Sequence, residues 1–113
     1  MRGIRSMNER TKSLAIPIAV KRTVAARDSF DGWPCCILCG RPAPSETAWS
    51  NAHYIARSQG GLGIAENIVS LCPACHRAYD QSPRRAEIRT HIKAYLQSYY
   101  PEWDETKLIY EKR

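Results

Sequence analysis

Four cysteines in two CxxC pairs, Cys36-x₂-Cys39 and Cys72-x₂-Cys75, carry the most specific chemistry in the sequence. Two residues between thiols let both reach one tetrahedral ion from a single turn, and two such turns complete a closed site. The expected ion is Zn²⁺. With every position filled by protein the site is structural, and its binding energy becomes folding energy. The pairs are separated by 32 residues, more than a minimal zinc ribbon needs, so a substantial unit is inserted between them. That insertion contains His53, and His76 directly follows the last cysteine. His76 and Asp80 stand four apart, on one face of a helix, where they could grip a single divalent ion. Imidazole plus carboxylate suits Mg²⁺, Mn²⁺ or Zn²⁺ and leaves positions open for water and phosphate oxygens. The fifth cysteine, Cys35, spaces less well to Cys39 and reads as a small buried hydrophobe.

The elements that must position these groups can be sketched from pattern. Residues 1–16 are polar and basic with little apolar periodicity and read as a flexible arm, leaving 17–113 as a single domain. Pro17 suits a helix start, and a short helical run continues through Ala26 until Asp28–Gly32 breaks it. Gly40 lets the chain turn back over the first thiol pair. Ala48 to Ile55 is the best strand candidate, the loop Gly60-Gly61-Leu62-Gly63 follows, and Ile68 to Leu71 is a second strand. Pro73 then opens a helix to about Asp80. Over 84–99, Ile88, Ile92, Tyr95, Leu96 and Tyr99 repeat as one helical face, while Arg85, Arg89 and Lys93 form a basic stripe. His91 lies beside the apolar face and reads as structural. Pro101 ends this helix, and the tail with Trp103, Leu108, Ile109 and Tyr110 is expected to fold back on the body.

Charge and composition narrow the partners. The chain has 113 residues and a net charge of +6, and the first 28 residues hold seven Lys or Arg against Glu9 and Asp28. A basic surface favours a polyanion through counterion release, without identifying which one. No apolar stretch is long enough to span a bilayer, and the basic opening lacks the apolar segment of a secretory signal. A cytoplasmic protein with no membrane partner is the expectation. Five cysteines in such a setting argue for metal binding rather than a disulfide framework.

Two stretches carry a family likeness: Ala52-His53-Tyr54-Ile55-Ala56-Arg57-Ser58-Gln59-Gly60-Gly61, and Glu66-Asn67-Ile68-Val69-Ser70-Leu71-Cys72-Pro73-Ala74-Cys75-His76. Together they resemble the HNH endonuclease family, most of all its small phage-type members with CxxC pairs, over about Cys36 to Asp80. The resemblance implies an α+β fold: a small ββα-metal (His-metal finger) domain stapled by a Cys₄ zinc site, with core motif 36–80 and flanking N- and C-terminal helices. It implies that His53 is the general base, that Asn67 braces the loop so the base is aimed, and that His76 is a ligand of the catalytic metal. Asp80 stands where some relatives place a further metal-binding His. One departure is plain. Many members carry Asp or His directly before the general base, and this chain has Ala52, whose methyl cannot bind a cation. Asp80 is the favoured substitute; water and a backbone carbonyl, or weak metal binding, are the alternatives.

The implied activity is hydrolysis of DNA phosphodiesters, with Mg²⁺ or another divalent ion beside the structural Zn²⁺ and products bearing 5′-phosphate and 3′-hydroxyl. Arg57, four after His53, is placed to contact a phosphate near the cut. Arg41, Arg77 and the Arg85/Arg89/Lys93 stripe could extend that footprint, positioning DNA without reading its sequence. Phage DNA packaging beside a terminase fits the short length and basic arm somewhat better than restriction or mobile-element spread, by resemblance only. The competing expectation is a non-catalytic zinc module, derived from the same domain, that binds nucleic acid or protein.

Overall fold

The computed structural model describes residues 9–111. In chain order they form α1 (Glu9–Leu14), α2 (Ile18–Arg27), β1 (Ser29–Phe30), β2 (Trp33–Pro34), β3 (Ala52–His53), β4 (Ile68–Val69), α3 (Pro73–Gln81) and α4 (Arg85–Tyr99). Tight 3₁₀ turns occupy Arg57–Gln59, Ala65–Asn67 and Glu105–Lys107. The result is a small α+β fold with two antiparallel strand pairs, β1 with β2 and β3 with β4. No helix among the described residues is long and apolar enough to cross a membrane.

The β3–β4 pair is shorter than the strands expected over 48–55 and 68–71. Ala52 faces Val69 and His53 faces Ile68, and Tyr54 N–H still donates to Asn67 O at 2.7 Å. Upstream, Leu71 N–H donates to Trp49 O and the Ser50 hydroxyl meets Ser70 Oγ. These contacts are one residue out of step with the Ala52–Val69 register, so Asn51 is the extra residue of a bulge. Bulges end regular pairing and re-aim a side chain. Ala48 falls outside the strand because its N–H closes a turn on Ser45 O.

Tyr54, Leu71, Tyr79, Ile92 and Leu96 anchor the buried core that joins this hairpin to α3 and α4. Ile88, Ile92 and Leu96 are the buried face of α4. Tyr99, expected on that face, is 49% exposed, because the helix end runs out past the core. His91 is likewise exposed rather than packed in the interior. The tail folds back: Leu108 is buried, Leu62 N–H donates to Leu108 O, and Gly61 bridges to Ile109. Trp103 packs edge-on against Tyr54 and donates from its indole to Glu66 O.

Two features depart from the sequence reading. Residues 9–14, within the segment expected to be a flexible arm, form α1, with the Leu14 side chain buried; residues 1–8 of that arm lie outside the described residues. The expected break at Asp28–Gly32 is instead the β1–β2 hairpin. Asp31 and Gly32 both adopt positive φ there, as a tight two-residue hairpin turn requires.

A buried ion pair locks α2 onto the body. The Arg27 guanidinium forks onto the Asp28 carboxylate and also donates to Ala65 O and Ile68 O. Asp28 accepts in turn from Ser70 N–H and the Tyr95 hydroxyl. Every strong donor and acceptor in this cluster is paired, which is the condition for a buried pair to be tolerated.

Candidate active site

The two thiol pairs converge. Sγ atoms of Cys36, Cys39, Cys72 and Cys75 all lie within 4.8 Å of one another. Four sulfurs at about 2.3 Å from a tetrahedral Zn²⁺ stand about 3.8 Å apart, and Cys39 and Cys72 are separated by 3.7 Å. The thiols also pull one another in opposite directions. Burial and neighbouring thiols push Cys75 well up. At Cys72 burial pushes up as well, but the Cys75 amide and the surrounding thiols outweigh it and bring the group down to about 7. Such a cluster cannot carry four negative charges without a cation, which a Zn²⁺ held by the four sulfurs would supply. The donor set fits a closed, structural zinc site, and no other group of three or more Cys, His, Asp or Glu among the described residues converges in this way.

The staple sets the start of α3. Cys72 is its N-cap, accepting from Cys75 N–H through sulfur, and Pro73 fills the first turn. One turn on, His76 faces a cleft of about 700 Å³, with Asp80 a further turn along. His76 Nε2 and Asp80 Oδ2 are 3.6 Å apart, a separation two ligands of one divalent ion can span. His53, from β3, lines the same cleft. It is half-buried, and burial lowers its pKa below the ordinary imidazole value; the Leu14 carbonyl opposes this, and nearby Arg57 and His76 add to it.

Asn67 lies behind the cleft, 0% exposed. Its Oδ1 accepts from Ile55 N–H at 2.9 Å, while Nδ2 donates to Ile55 O at 3.2 Å and Leu62 O at 2.8 Å. It therefore staples both ends of the loop between β3 and β4, directly beside His53. Tyr79 of α3 adds a second fastening, donating its hydroxyl to Tyr54 O at 2.6 Å. Ala52 is 0% exposed and packs into the core, so the position before His53 offers nothing to the cleft. The bulge gives the cleft Asn51 instead.

The basic residues divide. Arg57 is exposed and lines the cleft, and Arg85 lines it while donating to Tyr79 O and lying over the Tyr79 ring. Arg89 is held by Glu105 at 2.7 Å and sits over the Tyr54 ring, and Lys93 approaches the same carboxylate at 3.6 Å. The helical stripe is thus largely spent fastening the Glu105–Lys107 turn to the body. Arg41 and Arg77 are exposed, and neither lines the cleft. Lys21 of α2 does, and so does Asn51. Spacing along the chain carried no sign of Lys21, which is 32 residues from His53 and arrives only through the docking of α2.

A β-hairpin and helix clasped by four thiols, with a histidine-lined cleft between them, define a zinc-stapled ββα domain. Residues 36–82 match the family model of HNH endonucleases. No curated protein and no solved structure matches the chain.

Proposed function

We propose that the chain is a metal-dependent DNA endonuclease, cutting phosphodiesters in the cleft between β3 and α3. The observation that carries this reading is the convergence of His53, His76 and Asp80 on one open cleft edged by Lys21, Arg57 and Arg85. His76 and Asp80 would hold a divalent ion such as Mg²⁺, which when bound offsets charge on the phosphoryl and leaving oxygens. His53, neutral at physiological pH because burial disfavours its cation, takes the proton of the attacking water. The water oxygen bonds to phosphorus as the bond to O3′ breaks, leaving a 5′-phosphate and, once protonated from solvent, a 3′-hydroxyl. Lys21, Arg57 and Arg85 hold neighbouring phosphates. These contacts position the strand without reading bases, so sequence preference is weak.

Cleavage of supercoiled plasmid with Mg²⁺, Mn²⁺, Ni²⁺ or Zn²⁺, comparing the zinc-loaded chain with His53→Ala, tests this reading. Conversion to open-circle or linear DNA by the wild type alone, and only with metal, supports it. Failure of folded wild type to cut with any of these ions overturns it. The buried Ala52, which gives the cleft no ligand, would then favour the non-catalytic binding module.

A further inference from the structure

We infer that residues 13–16, which precede the matched segment in the chain, are a working part of the active site. In this assignment the Leu14 carbonyl fixes the His53 tautomer and Gly63 clasps the segment in place. The inference rests on the reading of His53 as general base and extends it to named atoms.

The last carbonyls of a helix have no partner within it and must find donors elsewhere. At the end of α1 two of them meet β3 and the loop that follows it. Ser13 O accepts from Gly63 N–H at 2.9 Å, and Leu14 O lies 3.0 Å from His53 Nε2. A carbonyl oxygen can only accept, so Nε2 carries the hydrogen. In the neutral ring that leaves the lone pair on Nδ1. The atom that takes the water's proton is therefore Nδ1; the carbonyl holds the neutral ring in that tautomer and goes on accepting from Nε2–H once the ring is a cation.

Two further observations show that the segment is built in rather than resting on the surface. The Leu14 side chain is 2% exposed. A Cβ at Gly63 would overlap the Ala15 carbonyl and come within 3.1 Å of Ile16 Cα. Gly63 is not in the left-handed region, so what demands glycine there is space for the incoming backbone. Ile16 then continues into the wall of the cleft. Leu14, Ser13 and Gly63 are positioning residues: they act on the reaction only through the His53 ring.

Long-range ¹H–¹⁵N correlation spectra of the imidazoles, recorded on the zinc-loaded full chain at neutral pH, read the tautomer directly. His53 should show the Nε2–H form in the wild type; an Nδ1–H form, or an even mixture, overturns the proposal without recourse to a variant. Gly63→Ala, checked for full zinc content and a cooperative melt, should lose the fixed tautomer. It should also cut kcat roughly a hundredfold, the scale of an ångström-level misplacement, with KM for DNA changed less than twofold. Leu14→Ala, which loosens the same segment without adding an atom, should move both readouts in the same direction. A folded Gly63→Ala chain that keeps the Nε2–H form also overturns the clasp. Because the spectra need no DNA, a chain that never cuts would sink the nuclease reading and still leave the tautomer decided.

Discussion

Replacing Asn67 by alanine removes all three side-chain hydrogen bonds that pin the loop behind His53. Ile55 N–H loses its acceptor, and Ile55 O and Leu62 O lose their shared donor. Asn67 is fully buried and so are its two bonds to Ile55, so water does not replace those without opening the loop. An unpaired buried polar group costs about 1–3 kcal/mol. The amide falls in the middle of that range and the carbonyls, each with a second lone pair, near its lower end. The total is roughly 3–5 kcal/mol, a large part of the about 5–15 kcal/mol that holds a domain of this size. The backbone bond from Tyr54 N–H to Asn67 O survives the substitution, so β3 and β4 stay paired while the loop comes loose. Urea unfolding of the zinc-loaded protein, followed by circular dichroism and by the summed fluorescence of Trp33, Trp49 and Trp103, measures the loss. In the proposed reaction cleavage should fall with it, because Ile55 is two residues from His53. A loss below about 1 kcal/mol would show that these bonds do not hold the loop, and the account of Asn67 as its staple would fail.

Three other outcomes follow from the geometry. Chelation at neutral pH should abolish the cooperative melt and most helical circular dichroism, since structural zinc supplies about 10–16 kcal/mol of apparent binding energy; a chelated chain that still melts cooperatively would refute the staple. Acid should slow cleavage, with the limb centred below the usual imidazole value of about 6.5, because His53 is pushed down by burial, Arg57 and His76. The same shift means that below about pH 6.5 the unfolded chain binds the proton first, so stability falls as pH drops through that window. A cleavage limb centred above 6.5 would contradict the assigned direction. Finally, Arg57→Ala should weaken DNA binding and flatten the salt slope by about 0.9, one phosphate contact. Arg89→Ala, whose guanidinium is held by Glu105, should leave the slope unchanged and lower the melting temperature; equal effects on the slope would refute this division of the basic residues.

The neighbourhood of His76 and Asp80 on the cleft was legible because it is written locally. Cys72, Pro73, Cys75, His76 and Asp80 fall within nine residues, and helical periodicity alone puts His76 and Asp80 on one face. The thiol pairs announce their shared ion by spacing, and the amphipathic run of α4 sets its buried stripe. The strands were less legible. Apolar content over 48–55 suggests a full strand, whereas a turn at Ala48 and the bulge at Asn51 leave a two-residue β3. Ladder length depends on what the partner strand offers, and sequence alternation does not report that. The β1–β2 hairpin did leave a signal, Asp31-Gly32 between Phe30 and Trp33, of the kind tight hairpins use.

What a local reading misses is whatever depends on a distant segment for its meaning. Arg89 and Lys93 have the periodicity of a nucleic-acid face, and Glu105, sixteen residues beyond Arg89, decides otherwise. Residues 9–14 have too few apolar positions to make a helix that would stand alone, and six residues are far short of a stable isolated helix. They are helical because Leu14 has a pocket to enter and because the end of α1 finds donors in Gly63 and His53. The dependence runs both ways. Without the loop α1 has unpaired carbonyls, and without α1 the His53 ring has no fixed tautomer. A segment read as peripheral and a base read as complete in itself each supply what the other lacks, across 39 residues of sequence, and only the fold brings the two halves together.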